Sequence, residues 1–404
     1  MSDFFQNGQI VTLHDLAGRP TEEFEAELLR FSQDRPLGLV LPSLYSELEG
    51  PALDRIIEEL AQVEYLNEIV IGLDAADAEQ FKRARDFFSR LPQPHHVLWN
   101  DGPRLRALAD ELEARGLAPT QQGKGRNVWF CFGYVLASDR AKALALHDCD
   151  ITTYDRRLLA RLIYPVANPS FSFAFCKGYY SRISEQELKG RVARLLVAPL
   201  LRALGKVFGP HDFVEYLDSF RYPLAGECSL RTHVLKDLYL PDDWGLEIGL
   251  LAEVRRMYSS RRICQIDIAD LYDHKHQQMG EADARAGLSK MSADICKAVF
   301  RKMAIEGEVF SEGVFRSLKA AYLREALDLI EYYQSDAVTN GLNLDRDAEE
   351  QAAELFASNL LNAGQDFLAH PMESPYVPSW RRVRSAIPDF LQRLEVAVEE
   401  DNQA

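Results

Sequence analysis

Asp148 and Asp150 stand at i and i+2 around Cys149, at the end of the apolar run Ala143-Leu-Ala-Leu-His147. In a regular strand their side chains would point to opposite faces. Where a chain leaves a sheet, both can converge on one point, and ligands of open α/β sheets bind at that carboxyl end. Two hard oxygen donors there suit Mg²⁺ or Mn²⁺, with phosphate oxygens and water completing the shell. The motif alone is weak in a chain with 62 acidic residues. Asp345-Arg-Asp347, for example, opens a helix, and capping explains it. Asp148-Cys149-Asp150 differs because a buried strand delivers it.

Other residues fit the same chemistry, each with a plainer explanation beside it. Gly123-Lys124-Gly125 precedes an apolar helix, where glycines, a helix N-terminus and a lysine can receive a phosphate; a tight turn would look the same. It lacks the spacing of a P-loop. His274 and His276 follow the apolar run Ile263–Ile268, so a neutral ring nitrogen there could be a third metal ligand; a polar loop is the alternative. His147 reads as a hydrogen-bonded core residue. Arg191 and Arg194, one turn apart after Gly190, could clamp a carboxylate or phosphate, or face solvent. Glu247, in a first helical turn, is a site acid or compensates the helix dipole.

These residues need elements to carry them. A lead-in over 1–35 holds one helix from Thr21, taken as its N-cap, to Phe31. Leu37–Pro42, Glu68–Asp74 and His96–Trp99 read as strands. Helical spacing at Leu53, Ile56, Ile57 and Leu60, then over 78–90 and 104–115, alternates with them. A β-α-β-α pattern implies a parallel sheet with right-handed crossovers. Strands at 143–147, 171–176 and 263–268 follow, with helices at 155–164 and 190–204. The loop 222–227 is expected to lead into another helix. The expected fold is α/β: a mostly parallel sheet flanked by helices over 36–287, split into halves of 36–165 and 166–287. Residues 288–404 read as a helical appendage whose apolar stripes pack on the sheet domain or on a second subunit. Glu399-Glu-Asp401 reads as a solvated tail.

Composition narrows the setting. The chain has 404 residues, 47% hydrophobic and 27% charged, as soluble domains do. A formal charge of −16 argues against general nucleic-acid binding. No run reaches membrane-spanning length. Cys131, Cys149, Cys176, Cys228, Cys264 and Cys296 are scattered and read as buried thiols. With no basic, apolar leader at Met1, a cytoplasmic protein is expected.

Taken together, residues 36–280 resemble the GT-A-fold retaining glycosyltransferases that make glucosyl- and mannosyl-3-phosphoglycerate. Leu41-Pro-Ser-Leu-Tyr-Ser-Glu47 looks like that family's P-A-L-N-E-E segment; Ser43, Tyr45 and Ser46 depart from it. The resemblance implies nucleoside contacts from Pro42, Ser43, Leu44 and Glu47, and a base or ribose contact from Asp74. Gly123 and Lys124 resemble the donor-phosphate loop, and Asp148-Cys149-Asp150 the D-S-D motif. By that likeness Asp150 binds the metal, while Asp148 and Cys149 lie by the donor. Gly190-Arg191-Val-Ala193 resembles the acceptor motif G-R-V-T, with Ala193 replacing its threonine. Leu224 and Gly226 match the acceptor loop, and Glu247 a site glutamate. Asp273-His274-Lys-His276 looks like A-H-R-N, which makes His274 a metal ligand and sets His276 where an asparagine meets the acceptor.

The resemblance implies a metal-dependent hexosyltransferase. It would use Mg²⁺ or Mn²⁺ and move glucose from UDP- or GDP-glucose to the 2-hydroxyl of 3-phosphoglycerate. Lys124 and Glu247 are the expected catalytic residues, and a homodimer the expected assembly. A mannosyl-3-phosphoglycerate synthase and a direct glucosylglycerate synthase are alternatives. A sugar nucleotidyltransferase, releasing pyrophosphate, and a non-catalytic sugar-nucleotide sensor share the fold signals.

Overall fold

The computed structural model describes residues 5–6, 8–119, 122–274, 281–370 and 376–403, with side chains in the last long helix group from residue 286. Leu37–Leu44 (β2), Leu66–Asp74 (β3), His95–Trp99 (β4) and Ala143–Leu146 (β5) form one parallel block. Their side chains alternate between two cores. Leu37, Leu39 and Leu41 enter one, and Val40 the other. A sheet covered on both faces yields continuous apolar runs, which is why these strands are legible in the sequence.

Helices Thr21–Asp34 (α1), Pro51–Leu60 (α2), Ala78–Phe88 (α3) and Arg156–Ala167 (α6) cover one face. Pro103–Ala114 (α4), Lys124–Ser138 (α5), Ala198–Phe208 (α7), Asp212–Asp218 (α8) and Leu246–Met257 (α9) cover the other. Thr21 is the first helical residue of α1 rather than its cap; Pro20 precedes it and makes no side-chain cap bond. At α4 the expected stop holds: Gly116 has φ +64° just past the end.

The second half of the sheet corrects two expectations. Val11–Leu13 (β1), in the lead-in, is an edge strand parallel to Ile263–Tyr272 (β9). Residues 228–231 are not helical: Cys228–Arg231 is β8, set between β5 and Phe175–Ser184 (β6) and antiparallel to both. Cys228 and Leu230 are buried in the core, and the Ser229 hydroxyl donates to the Leu162 carbonyl at 2.5 Å. Packing on both faces outweighs local propensity there. Glu187–Leu188 (β7) pairs only with β6, giving the order β1-β9-β6-β8-β5-β2-β3-β4.

All strands of that path except β8 run the same way, so their carboxyl ends share one edge. β8 runs against them and begins at that edge. Leu146 pairs with Cys228, so the residues leaving β5 meet those entering β8.

Glu281–Ile305 (α10), Glu312–Thr339 (α11), Arg346–Ala369 (α12), Trp380–Ala386 (α13) and Phe390–Gln403 (α14) complete the chain. The acidic end is no solvated tail. Asp401 is 3% exposed and bonds Arg104 at 2.5 Å, and Glu399 pairs with Arg140 at 2.8 Å. Asn402 gives and takes a hydrogen bond with the backbone of Val97, covering the β4 edge.

Arg140 also faces buried Glu68 at 3.4 Å, and the Ser138 hydroxyl donates to Glu68 at 3.0 Å. Burial still pushes the Glu68 carboxyl up to about 7. A raised carboxyl contributes stability below its unfolded value and loses it as pH rises through the folded one. Glu68→Gln therefore gains stability over the parent as pH climbs from 4.5 to 7.5. The difference reaches about 2–3 kcal/mol, read by urea unfolding at each pH. His96 beside it is held down to about 4 by burial. Its opposing slope cancels in that difference. A variant less stable than the parent at pH 7.5 contradicts the account.

Candidate active site at the carboxyl edge of the sheet

Five chain segments converge where β5 ends. Gly123, with φ +145°, adopts backbone that favours glycine and starts α5, so Lys124 projects from that helix N-terminus. The Lys124 Nζ lies 2.6 Å from Asp148 and 3.5 Å from Glu247, which stands in the first turn of α9. The 222–227 loop enters through β8 and lays Gly226 against this pair. A Cβ at Gly226 would sit 2.5 Å from Asp148 Oδ2 and 2.9 Å from Lys124 Nζ. Glu227, fully buried, accepts from the Tyr180 hydroxyl at 2.7 Å and the Tyr272 hydroxyl at 2.6 Å. Those rings stack at 3.7 Å.

His274 arrives from β9. Thr152 N–H donates to the Asp273 carbonyl at 2.9 Å, and Ile151 forms an antiparallel bridge with His274. These contacts hold His274 beside the end of the Asp148–Asp150 segment. Arg182 of β6 donates to His274 Nε2 at 2.5 Å and to the Tyr222 hydroxyl at 3.4 Å. Lys124, Asp148, Arg182, Gly226, Glu247 and His274 share one cavity of about 440 Å³. Gly123, Gly190, Arg191, Leu224 and Trp244 also line it, and Lys290, Met291 and Ile295 of α10 add a wall.

Charge dictates the state of each group. Burial alone would lower the Lys124 ammonium, but Asp148, Glu247 and Glu227 outweigh it and hold the lysine charged. Burial would raise Asp148, but Lys124 brings it below the usual range. Asp150 goes the other way, pushed up to about 7 by burial and then by Asp148. Its Oδ1 is buried with no hydrogen-bond partner among the described residues. A carboxylate oxygen orphaned in this way is a ready cation ligand. No group of three His, Cys, Asp or Glu side chains close enough to enclose a metal occurs among the described residues. Asp150 is not among the residues lining the cavity that His274 lines; as a donor set the two would suit a cation whose remaining ligands are phosphate and water, the mode usual for Mg²⁺.

The other candidates divide. Cys149 is buried in the α6-side core, where burial raises its thiol, and it does not line the cavity. Leu44 pairs with Asp74 across β2 and β3, so Pro42, Ser43, Leu44 and Asp74 end the neighbouring strands beside the cavity rather than lining it. Asp74 accepts from Asn100 at 2.8 Å, and Glu47 is 8% exposed. His147 is a core residue: its Nδ1 contacts the Asp148 carbonyl at 2.9 Å, and burial lowers it to about 4. His276 lies outside the described residues. Arg191 and Arg194 do not simply face solvent. They bond Glu349 of α12 at 2.9 and 2.7 Å. Glu349 is 2% exposed, so Glu349→Ala leaves Arg194 half-paired. It should destabilise the fold by roughly 3 kcal/mol, seen as a lower urea midpoint.

Sequence reasoning missed Arg182, the tyrosines on Glu227, and Glu349. Arg182 and Tyr180 lie in the second half of β6, beyond the expected end at Cys176. The alternating Tyr180, Arg182 and Ser184 were the available signal. Glu349 carried none, because its partner lies more than 150 residues away.

This plan is that of known transferases. A structure of glucosyl-3-phosphoglycerate synthase from Mycobacterium tuberculosis with Mn²⁺, UDP and phosphoglyceric acid superposes with TM-score 0.52 at 19% identity. It covers 75% of this chain and 88% of that one. No protein-family model matches the chain. The fold and site define a GT-A-type glycosyltransferase.

Two relatives are closer in sequence, both glucosyl-3-phosphoglycerate synthases. That of Persephonella marina is 46% identical over 402 residues, 100% of this chain and 99% of the relative. That of Methanococcoides burtonii is 38% identical over 396 residues, 97% and 96% of the two chains. The chain belongs to the glucosyl-3-phosphoglycerate synthase family.

Proposed function

We propose that this chain transfers glucose from UDP-glucose to the 2-hydroxyl of 3-phosphoglycerate, with retention at the anomeric carbon. The observation that carries the reading is Lys124 and Asp148, 2.6 Å apart, sharing one cavity with His274. Asp150 and His274 would hold Mg²⁺ or Mn²⁺, which when bound supplies charge neutralisation for the diphosphate. Lys124 adds a fixed positive charge where the leaving phosphate gains negative charge. Asp148 holds Lys124 in place and faces the ribose. Pro42, Ser43, Leu44, Glu47 and Asp74 receive the nucleoside.

Arg191, with Gly190, Leu224 and Gly226, receives the phosphorylated acid. The new bond joins the acceptor oxygen to the anomeric carbon, and the bond to the β-phosphate oxygen breaks. The acceptor proton passes to that departing phosphate on the same face, so no carboxylate nucleophile of the glycosidase kind is needed. Glu247, beside Lys124, orients the sugar. The reading places the enzyme in the cytoplasm as a homodimer; a monomer mass by light scattering contradicts the latter.

The test is a matrix of UDP-glucose, GDP-glucose and GDP-mannose against 3-phosphoglycerate and glycerate, with Mg²⁺ or Mn²⁺. UDP-glucose with 3-phosphoglycerate should give UDP and a product heavier than the acceptor by one hexosyl unit. Turnover only with mannose, only with free glycerate, or with pyrophosphate release rejects the proposal.

A further inference from the structure

A second, larger cavity of about 980 Å³ opens at the opposite edge of the sheet. Arg35 just before β2, Lys142 just before β5 and Arg231 at the end of β8 mark that edge. Lys236, in the turn after β8, and Arg381 and Arg384 of α13 add to the lining. Asp139 is the one acid that lines it among the described residues, and Lys142 already takes it, at 2.6 Å. Arg381 is taken by Asp237.

The remaining cations have no carboxylate within ion-pair distance among the described residues. Arg35 donates to the carbonyls of Val166, Ala167 and Asn168, and Arg231 to that of Phe171 at 2.8 Å. Helix-end carbonyls account for Arg35. They do not account for Arg231, Lys236 and Arg384 gathered behind it. The Nε atoms of Arg231 and of neighbouring Arg262 are buried without hydrogen-bond partners among the described residues. Burial, then Arg35 and Arg262, depress the Arg231 guanidinium, a sign of cations crowded without a counter-charge. In a chain of net charge −16 this concentration is local. The concavity is of small-molecule size, and the acidic remainder of the surface repels long polyanions.

We infer that this basic cavity is a second anion site, distinct from the transferase site, that binds a small phosphate-bearing molecule through Arg231, Lys236 and Arg384. Guanidinium groups suit phosphate oxygens in bidentate geometry, and the lysine adds a mobile charge. Neither the donor nor the acceptor site is needed for it.

The test uses thermal unfolding of the full chain without divalent metal, in 10 mM orthophosphate, glycerol 3-phosphate or chloride at equal ionic strength. Exposed Lys236 and Arg384 are reversed together, Lys236→Glu with Arg384→Glu, so that half-buried Arg35 and Arg231 stay and the fold is kept. Lys124→Met and Arg191→Ala silence the donor- and acceptor-phosphate sites as controls. The parent and both controls should each gain at least about 2 °C with a phosphate ligand. The double reversal should lose most of that gain. A larger gain with glycerol 3-phosphate points to an esterified ligand, and an equal gain to free phosphate. A double reversal that keeps the full gain, or a parent that shows none, overturns the inference.

Discussion

Asp150→Ala is expected to lower kcat by about 10³-fold without weakening the fold. The magnitude follows from losing a preorganised stabiliser of developing charge, typically worth 10²–10³ or more in rate. The unchanged stability follows from the electrostatics. Asp150 is pushed up to about 7 by burial and by Asp148, and its Oδ1 has no partner among the described residues. Without a cation, its negative charge opposes folding. Removing it relieves repulsion with Asp148, so the variant's Tm in a metal-free buffer should equal or exceed the parent's. Activity lost with stability kept is the mark of a group held strained for function. A Tm several degrees lower, with kcat intact, contradicts the assignment.

Lys124→Met gives the second large effect, with the opposite stability signature. It should reduce kcat by about 10²-fold through the lost charge at the leaving phosphate. It also leaves Asp148, Glu247 and Glu227 facing one another with no ammonium between them. Lys124 and Asp148 are 34% and 28% exposed, so water screens part of that repulsion. A cost of about 2 kcal/mol is expected rather than the full penalty of a buried pair. The loss should shrink at low pH, where Glu227, raised by burial, takes up a proton. Unfolding of both variants at pH 5 and pH 8 separates the two cases: Lys124→Met recovers at pH 5, whereas Asp150→Ala shows no such recovery.

The contrast explains what could be read from the chain. Strands β2, β3 and β5 are buried on both faces, and their apolar runs announce them. The acids that follow β3 and β5 mark where each leaves the sheet, which is why Asp74, Asp148 and Asp150 could be singled out; Lys124 is legible instead from the glycines flanking it at the start of α5. β8 is only Cys-Ser-Leu-Arg, too short and mixed to show a period, yet it decides the topology. Its antiparallel insertion brings Gly226 and Glu227 onto Asp148, a meeting that no spacing in the sequence encodes. β6 was ended early because Lys177, Gly178 and Arg182 interrupt its apolar pattern. Lys177 is buried at 1% exposure, and Arg182 bonds His274, so that last interruption belongs to the site. The acidic end misled for a related reason. Charge suggests solvent, but Arg104 and Arg140, 297 and 259 residues before their partners, draw it onto the sheet edge.

The most direct test is Mn²⁺ binding followed by electron paramagnetic resonance of the free ion, with UDP present and absent. One Mn²⁺ per chain should disappear from the free pool when UDP is added. Asp150→Ala and His274→Ala should each weaken that binding at least about tenfold. If both variants keep the parent's stoichiometry and affinity, the cation lies elsewhere, and the role given to the carboxyl edge of β5 is wrong.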